Sequence, residues 1–371
     1  MTATFDVAII GGGIAGLSLG AHLCDAAKVV VLERESHLAF HTSGRSAAIY
    51  IPSYGSPTGK LLTQLSGDLF ENLPDEFFSS PALTRNRGVI CLARSKDDPH
   101  LKEMLDTNVV KPITMEDVLS RVPILNLDGY EAATFEELAK DIDVDALLSG
   151  FRRQFLAGGG TIMTDREVTG LHRGNDAWSI TTAAETIESA IVVNAAGAWA
   201  DQVAGLAGLA PVGMRPLKRT GIIVPPPEGH DIAMWPTVYD VAAPVYFKPD
   251  AGRIMLSPAD ETLCDPHDAF SDDMDVAVAV DRLQSMVTYQ ITRVEHSWAG
   301  LRTFSADDEP VAGYDPGADG FFWFAGQGGF GIQMSPAYAR LARTLLLRET
   351  MPEFLAASPL QVDNILPDRF R

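Results

Sequence analysis

Cysteine is scarce, and each one stands alone. The chain carries 3, Cys24, Cys91 and Cys264, without the spacing of a metal-ligand set or a disulfide framework. They read as buried free thiols of a reducing compartment. Basic residues are also short, with 29 Lys and Arg against 49 Asp and Glu and a formal net charge of −20. That acidic excess favours solubility and argues against nucleic acid as a partner, although the charge within a cleft is free to oppose the global sign. No apolar run reaches the roughly 18 residues of a membrane span. Residues 1–5 lack the basic start of a secretory signal, so a soluble, cytoplasmic protein without an integral membrane segment is expected. Internal repeats, low-complexity tracts and linkers are missing too. With 371 residues, 46% of them hydrophobic and 21% charged, the chain has enough material for a large core divided between two domains.

Glycine is placed with purpose near the start. Residues 7–10 are an apolar run that reads as a buried strand, and it enters Gly11-Gly12-Gly13-Ile14-Ala15-Gly16 before a helical pattern. In such a G-x-G-x-x-G turn, Gly11 permits the tight bend and Gly13 lets a pyrophosphate approach the backbone. Gly16 lets the helix pack against the strand, with the helix N-terminus facing the phosphate charge. A second strand at residues 28–32 ends in Glu33, 22 residues after Gly11, where an acid accepts hydrogen bonds from ribose hydroxyls. Glycines alone would mark a tight turn in an ordinary α/β unit. Strand, glycines, helix, strand and acid in register predict dinucleotide binding.

Further along, Thr42-Ser-Gly-Arg-Ser-Ala-Ala48 suits a loop opening a helix, with Arg45 able to meet a phosphate or a carboxylate. A helix is expected over about 60–80, a strand over 88–93 and helices within 99–121. Asp141, Asp143 and Asp145 lack the glycine and late glutamate of a calcium loop and read as caps of the helix that follows. A second strand-to-small-residue turn comes at Asn194-Ala-Ala-Gly-Ala-Trp199. Residues 211–270 suit an antiparallel sheet, and helices are expected at 276–293 and 337–347. No metal site is expected.

In this order, these motifs resemble the D-amino acid oxidase superfamily of flavoproteins. The branch they are most similar to is that of the bacterial FAD-dependent D-arginine dehydrogenases, with glycine oxidase more distant. The similarity also rests on Tyr246-Phe-Lys-Pro-Asp-Ala-Gly252, Trp298-Ala-Gly-Leu-Arg302 and Gln327-Gly-Gly-Phe-Gly-Ile-Gln333. It implies a two-domain α/β architecture. A Rossmann-like FAD domain of the glutathione-reductase type would span 1–50, 141–212 and 305–371. A mixed antiparallel-sheet substrate domain would span 51–140 and 213–304. Non-covalent FAD would be held by Gly11, Gly13, Ile14, Ala15, Gly16, Glu33 and Arg34, then by Thr42, Ser43, Arg45, Ser46, Ala47 and Ala48. Val168 would meet the adenine side, followed by Ala196, Gly197 and Trp199. Arg302, Gly328, Gly329, Phe330, Gly331, Ile332 and Gln333 would surround the flavin, with a helix N-terminus at its N1–C2=O edge.

For chemistry, the resemblance implies Arg302 with Tyr246 as a carboxylate clamp, a second arginine at Arg219, Tyr54 on a loop over the substrate, and Gln333 beside it. A D-amino acid would lose hydride from Cα to flavin N5, and a quinone, dye or oxygen would reoxidise the flavin. A sarcosine- or glycine-type amine oxidase and a 2-hydroxy-acid oxidising enzyme are the neighbouring alternatives, and a non-catalytic flavin module lies outside the class. Two departures bear on specificity. Residues 84–88, Thr-Arg-Asn-Arg-Gly, are basic where the D-arginine enzymes carry an acid, and Ile49 replaces a histidine. Uncharged or acidic side chains are therefore expected over cationic ones. His41 raises covalent flavin attachment, but the D-arginine branch has the same residue without it.

Overall fold

The structure is a computed structural model that describes residues 3–73 and 83–371. The N-terminal strand Ala3–Ile10 lies between Val29–Leu32 and Thr186–Asn194, parallel to both, with Val7 opposite Val29 and Ile10 opposite Asn194. Its apolar residues are buried continuously rather than alternately, because helices cover the sheet. Thr161–Met163 extends the sheet beyond Val29–Leu32, and Phe321–Ala325 runs parallel to the end of Thr186–Asn194. An antiparallel meander, Val168–Arg173 and Trp178–Thr182, completes the other side, with Val311–Tyr314 beside Phe321–Ala325.

The strand Phe321–Ala325 shows how two cores share one sheet. Phe322 and Phe324 join Leu17, Phe151, Phe155 and Tyr338 beneath the helices Ile14–Leu23, Val144–Ala157 and Gly331–Leu347. Phe321 and Trp323 point the other way, onto Trp178 and the helix Ala200–Leu206.

A second, mixed sheet has ten strands among the described residues and is mostly antiparallel. Its centre is Arg215–Val224, paired with His296–Phe304 on one side and Arg253–Ser257 on the other. Val245–Asp250 and Thr237–Asp240 follow, then Val89–Ala93, Ala132–Glu136 and Val110–Ile113. Ile222, Phe247 and Leu256 pack here with the helix Asp273–Met286 through Ala279, Leu283 and Met286. Immediately after Phe321–Ala325, the chain turns at Gly326 and adds Gln327–Gly328 to the edge at Thr303 and Phe304. This crossover brings the second sheet onto the strand ends of the first. A small third sheet joins Ile49–Tyr50, Lys140–Ile142 and Thr84–Asn86. No helix among the described residues is long and apolar enough to cross a membrane.

Several local expectations need correction. The last long helix starts at Gly331 rather than 337, despite Pro336 inside it. Proline cannot donate to the Ile332 carbonyl, but the Ser335 hydroxyl does so at 3.0 Å, which keeps the turn satisfied. The helix expected to 293 ends at Met286, because Val287 bridges Leu125 and the Thr288 amide donates to Ile124 O. The helix expected over about 60–80 is Pro57–Glu71, and residues 74–82 lie outside the described residues. Asp143 does cap its helix, accepting from the Ala146 amide at 2.8 Å. Asp141 does not: it pairs with Arg87 and with Lys248, whose ammonium lies 3.1 Å away. Of the three free thiols, only Cys91 is fully buried.

Candidate active site

A cavity of about 530 Å³ runs past the carboxyl ends of the parallel strands and under the second sheet. At one end it is made of backbone. Gly11 turns the chain at φ +110°, and a Cβ there would lie 2.4 Å from Ala195 O. A Cβ on Gly16 would lie 1.9 Å from Gly11 O, so only glycine allows this strand and helix to meet. Glu33 is buried and accepts from the Gly12 amide at 2.8 Å and the Glu35 amide at 3.0 Å. Each carboxylate oxygen keeps a lone pair for a further donor. Arg34 lies over the Trp199 ring at 5.1 Å and pairs with Glu167 at 3.2 Å, which closes the side at Val168.

The fit to FAD rests on donors that the protein leaves unused. At the start of Ile14–Leu23, Ser43 Oγ takes the Ile14 amide at 2.9 Å. The amides of Gly13 and Ala15 have no acceptor among the described residues, as a phosphate site requires. At the far end, Gly331–Leu347 has no side-chain cap, and the amides of Gly331 and Ile332 also lack acceptors. Both residues line the cavity, and a helix N-terminus there favours negative charge. The buried Thr303 Oγ1 and Gln327 Nε2 have no partner among the described residues either.

The Arg302 end is made of side chains. Arg302, half-buried on His296–Phe304, donates from Nη1 to Tyr54 Oη at 3.1 Å. No carboxylate among the described residues lies within 4.0 Å of it. Tyr246 is buried on the cavity wall, and its hydroxyl has no hydrogen-bond partner among the described residues. Arg219 differs: its Nε donates to Asp260 O at 2.7 Å and its Nη2 to Glu261 Oε1 at 2.8 Å.

The Tyr54 loop is pinned from behind. Gln333 accepts from the Ile51 amide at 2.9 Å and donates to Tyr54 O at 3.3 Å. Glu136 accepts from the Ser53 amide at 3.0 Å and from the Ser53 hydroxyl. Burial pushes the Glu136 carboxyl above its ordinary value, against the bonds from Ser53.

Most of the residues expected at the cofactor converge on this cavity. Gly11, Gly13, Ile14, Ala15, Glu33, Arg34, Thr42, Ser43, Arg45, Ser46, Ala47, Val168, Ala196, Gly197 and Trp199 line it, as do Arg219, Tyr246, Arg302, Gly328, Gly329, Gly331 and Ile332. Gly16, Ala48, Tyr54, Phe330 and Gln333 do not line it, although the Tyr54 hydroxyl accepts from Arg302, which does. Of the two partners expected for Arg45, the structure shows the carboxylate: it donates to Asp268 Oδ1 at 2.6 Å, and also to Ala269 O at 2.8 Å and Ala299 O at 3.1 Å. His41 lines the cavity, bonded to Glu35 at 3.0 Å and packed on Trp199. Arg85 and Arg87 do not line it. Arg87 is committed to Asp141 and to the carbonyls of Ala233 and Trp235. Thr303, Gln327, Glu136 and Glu261 escaped the sequence reading. Thr303 sits beside one recognised motif and Gln327 opens another, which was a usable signal, whereas the two glutamates meet their partners only in space.

These features agree with comparisons to known proteins. The family model described as FAD dependent oxidoreductase (DAO) matches residues 6–345, so the chain belongs to that family and FAD is its cofactor. It is 25% identical to the Mus musculus FAD-dependent oxidoreductase domain-containing protein 1 over 92% of this chain and 81% of that one. Among solved structures, L-proline dehydrogenase from P. horikoshii superposes with a TM-score of 0.83 at 20% identity, covering 100% of this chain and 98% of the other. Glycine oxidase from Geobacillus kaustophilus gives 0.81 at 22% identity, covering 94% and 96%. At these identities the superpositions establish the fold.

Proposed function

We propose that this member of the FAD dependent oxidoreductase family oxidatively deaminates D-amino acids with uncharged or acidic side chains. The observation that carries the reading is Arg302, a cation on the cavity wall with no carboxylate within 4.0 Å among the described residues. A substrate supplies one, and a guanidinium fork holds it in a fixed orientation beside Tyr54 and Tyr246. When bound, FAD supplies the two-electron acceptor for the hydride leaving Cα. The amine becomes an imino acid, which water hydrolyses to a 2-oxo acid and ammonia. The D configuration and the likeness to D-arginine dehydrogenases rest on the sequence motifs.

Among the described residues, no carboxylate or imidazole lines the Arg302 end. The acidic residues of the wall, Glu33 and Glu167, and its histidine, His41, all lie toward the nucleotide end. A substrate ammonium therefore meets no side chain placed to take its proton, and the amine reacts after arriving neutral. The same distribution disfavours a cationic side chain, since Arg219 is on the wall and its partner Glu261 is not. Arg85 and Arg87, which first suggested this preference, take no part in it. The proposal carries with it a cytoplasmic location, in keeping with three free thiols, and a quinone, dye or oxygen as final acceptor.

The test is anaerobic reduction of the yellow protein by a panel of D-amino acids, L-amino acids, sarcosine, glycine, L-proline and 2-hydroxy acids. Loss of the oxidised flavin band with uncharged or acidic D-amino acids is expected. Comparable kcat/KM for D-arginine and D-leucine would overturn the specificity. Bleaching by sarcosine, L-proline or a 2-hydroxy acid alone would move the activity to that substrate class, and no bleaching by any compound would leave a flavin-binding module.

A further inference from the structure

Arg219 and Arg302 come from adjacent strands and face the same end of the cavity, yet among the described residues only Arg219 has a carboxylate within 4.0 Å. The chain is folded to deliver that carboxylate. Thr262 and Leu263 pair with Lys218 and Leu217, alongside Arg219. The Asp260 carboxylate takes the Thr220 amide at 2.7 Å and the Thr220 hydroxyl at 3.0 Å, while Asp260 O accepts from Arg219 Nε. Ala259 turns the chain at φ +52° just before. Glu261 is thereby held 2.8 Å from Arg219 Nη2, with its side chain 53% exposed. A pair with one partner so solvated is worth about 0–1 kcal/mol, so a ligand anion is able to displace Glu261. Nothing has to be displaced from Arg302.

We infer that the two arginines divide the substrate between them: Arg302 takes the α-carboxylate, and Arg219, screened by Glu261, reads the charge of the side chain. Glu261 acts through Arg219 and is a specificity-determining residue. An uncharged side chain leaves the Arg219–Glu261 pair intact, whereas an acidic one must compete with Glu261 for the guanidinium. The inference rests on the proposed amino-acid chemistry for its substrate, but its binding test does not require turnover.

The experiment compares wild type with Glu261→Gln, both full-length and FAD-loaded, with Glu261→Ala as a second variant should the amide perturb folding. Kinetics use D-glutamate and D-leucine. Calorimetry uses the unreactive acids glutarate and butyrate. Removing the screening charge is expected to raise kcat/KM for D-glutamate about 5-fold, through KM, with less than about 2-fold change for D-leucine. The glutarate-to-butyrate affinity ratio should rise by the same factor. Equal gains for mono- and dicarboxylates would place Arg219 in the α-carboxylate clamp and overturn the inference. Unchanged ratios would overturn it as well, showing that Glu261 does not screen. If no amino acid reduces the flavin, the deamination reading falls, and the glutarate ratio alone still decides the role of Glu261.

Discussion

The two ends of the cavity use different materials. The nucleotide end offers backbone amides of Gly13 and Ala15 and close approaches at Gly11 and Gly16, all within a few residues of one strand end. The Arg302 end offers side chains from the loop before Pro57–Glu71, the sheet strands and the start of Gly331–Leu347. A backbone site tolerates almost no added atom but is indifferent to many side-chain changes around it. A side-chain site has the opposite tolerance: its scaffold survives a substitution that removes its function.

The sharpest way to break this contrast is Gly16→Val. With a Cβ aimed at Gly11 O, the strand and helix must separate, and the purified protein should lose its bound flavin outright, measured as visible absorbance per chain. A variant retaining full flavin would show that the turn is not the anchor. Next in size is Arg302→Met, which should retain flavin but lower kcat/KM by about 30- to 5,000-fold, from the 2–5 kcal/mol scale of a lost hydrogen-bonded charge pair. A drop below about 3-fold would remove Arg302 from substrate binding. Tyr54→Phe takes away one hydrogen bond to that guanidinium. It should raise KM by about 2–10-fold, at 0.5–1.5 kcal/mol, with flavin content unchanged.

Away from both ends, His22 gives a control on stability alone. Burial, followed by Arg340 and Arg343, lowers its pKa from 6.5 to about 3. The folded state thus disfavours the protonated ring. Its contribution is fully present above about pH 6.5 and is lost as the pH falls from there toward 3, reaching up to about 2 kcal/mol at pH 5. His22→Leu should flatten the decline of Tm between pH 7 and pH 5 while leaving substrate specificity untouched. An unchanged decline would show that other groups drive the acid sensitivity.

Much of the fold was legible because its signals are local. Buried parallel strands write continuous apolar runs, as at Val29–Leu32, and the glycine turn occupies six consecutive positions. Local signals also misled. Pro336 hid the start of the last helix, because the compensating Ser335 bond is invisible in a helix pattern. Asp141 looked like a cap beside Asp143, but Arg87 and Lys248, remote in sequence, claim it. The basic 84–88 stretch suggested a preference against cationic side chains, but the fold turns Arg87 toward Asp141 and leaves both Arg85 and Arg87 off the cavity wall.

Residue order alone determined that a dinucleotide-type turn forms near the N-terminus, since tight bends and close approaches depend on which few neighbours lack a Cβ. It also supplied Arg219 and Arg302 as candidate cations. Only the tertiary structure decided that Arg302 stays without an anion while Arg219 receives Glu261, 42 positions away, and that Glu136 holds Ser53 across 83. The reason is physical: sterics of the turn act between adjacent residues, whereas an ion pair depends on a few ångströms set by strand register, which no local pattern records.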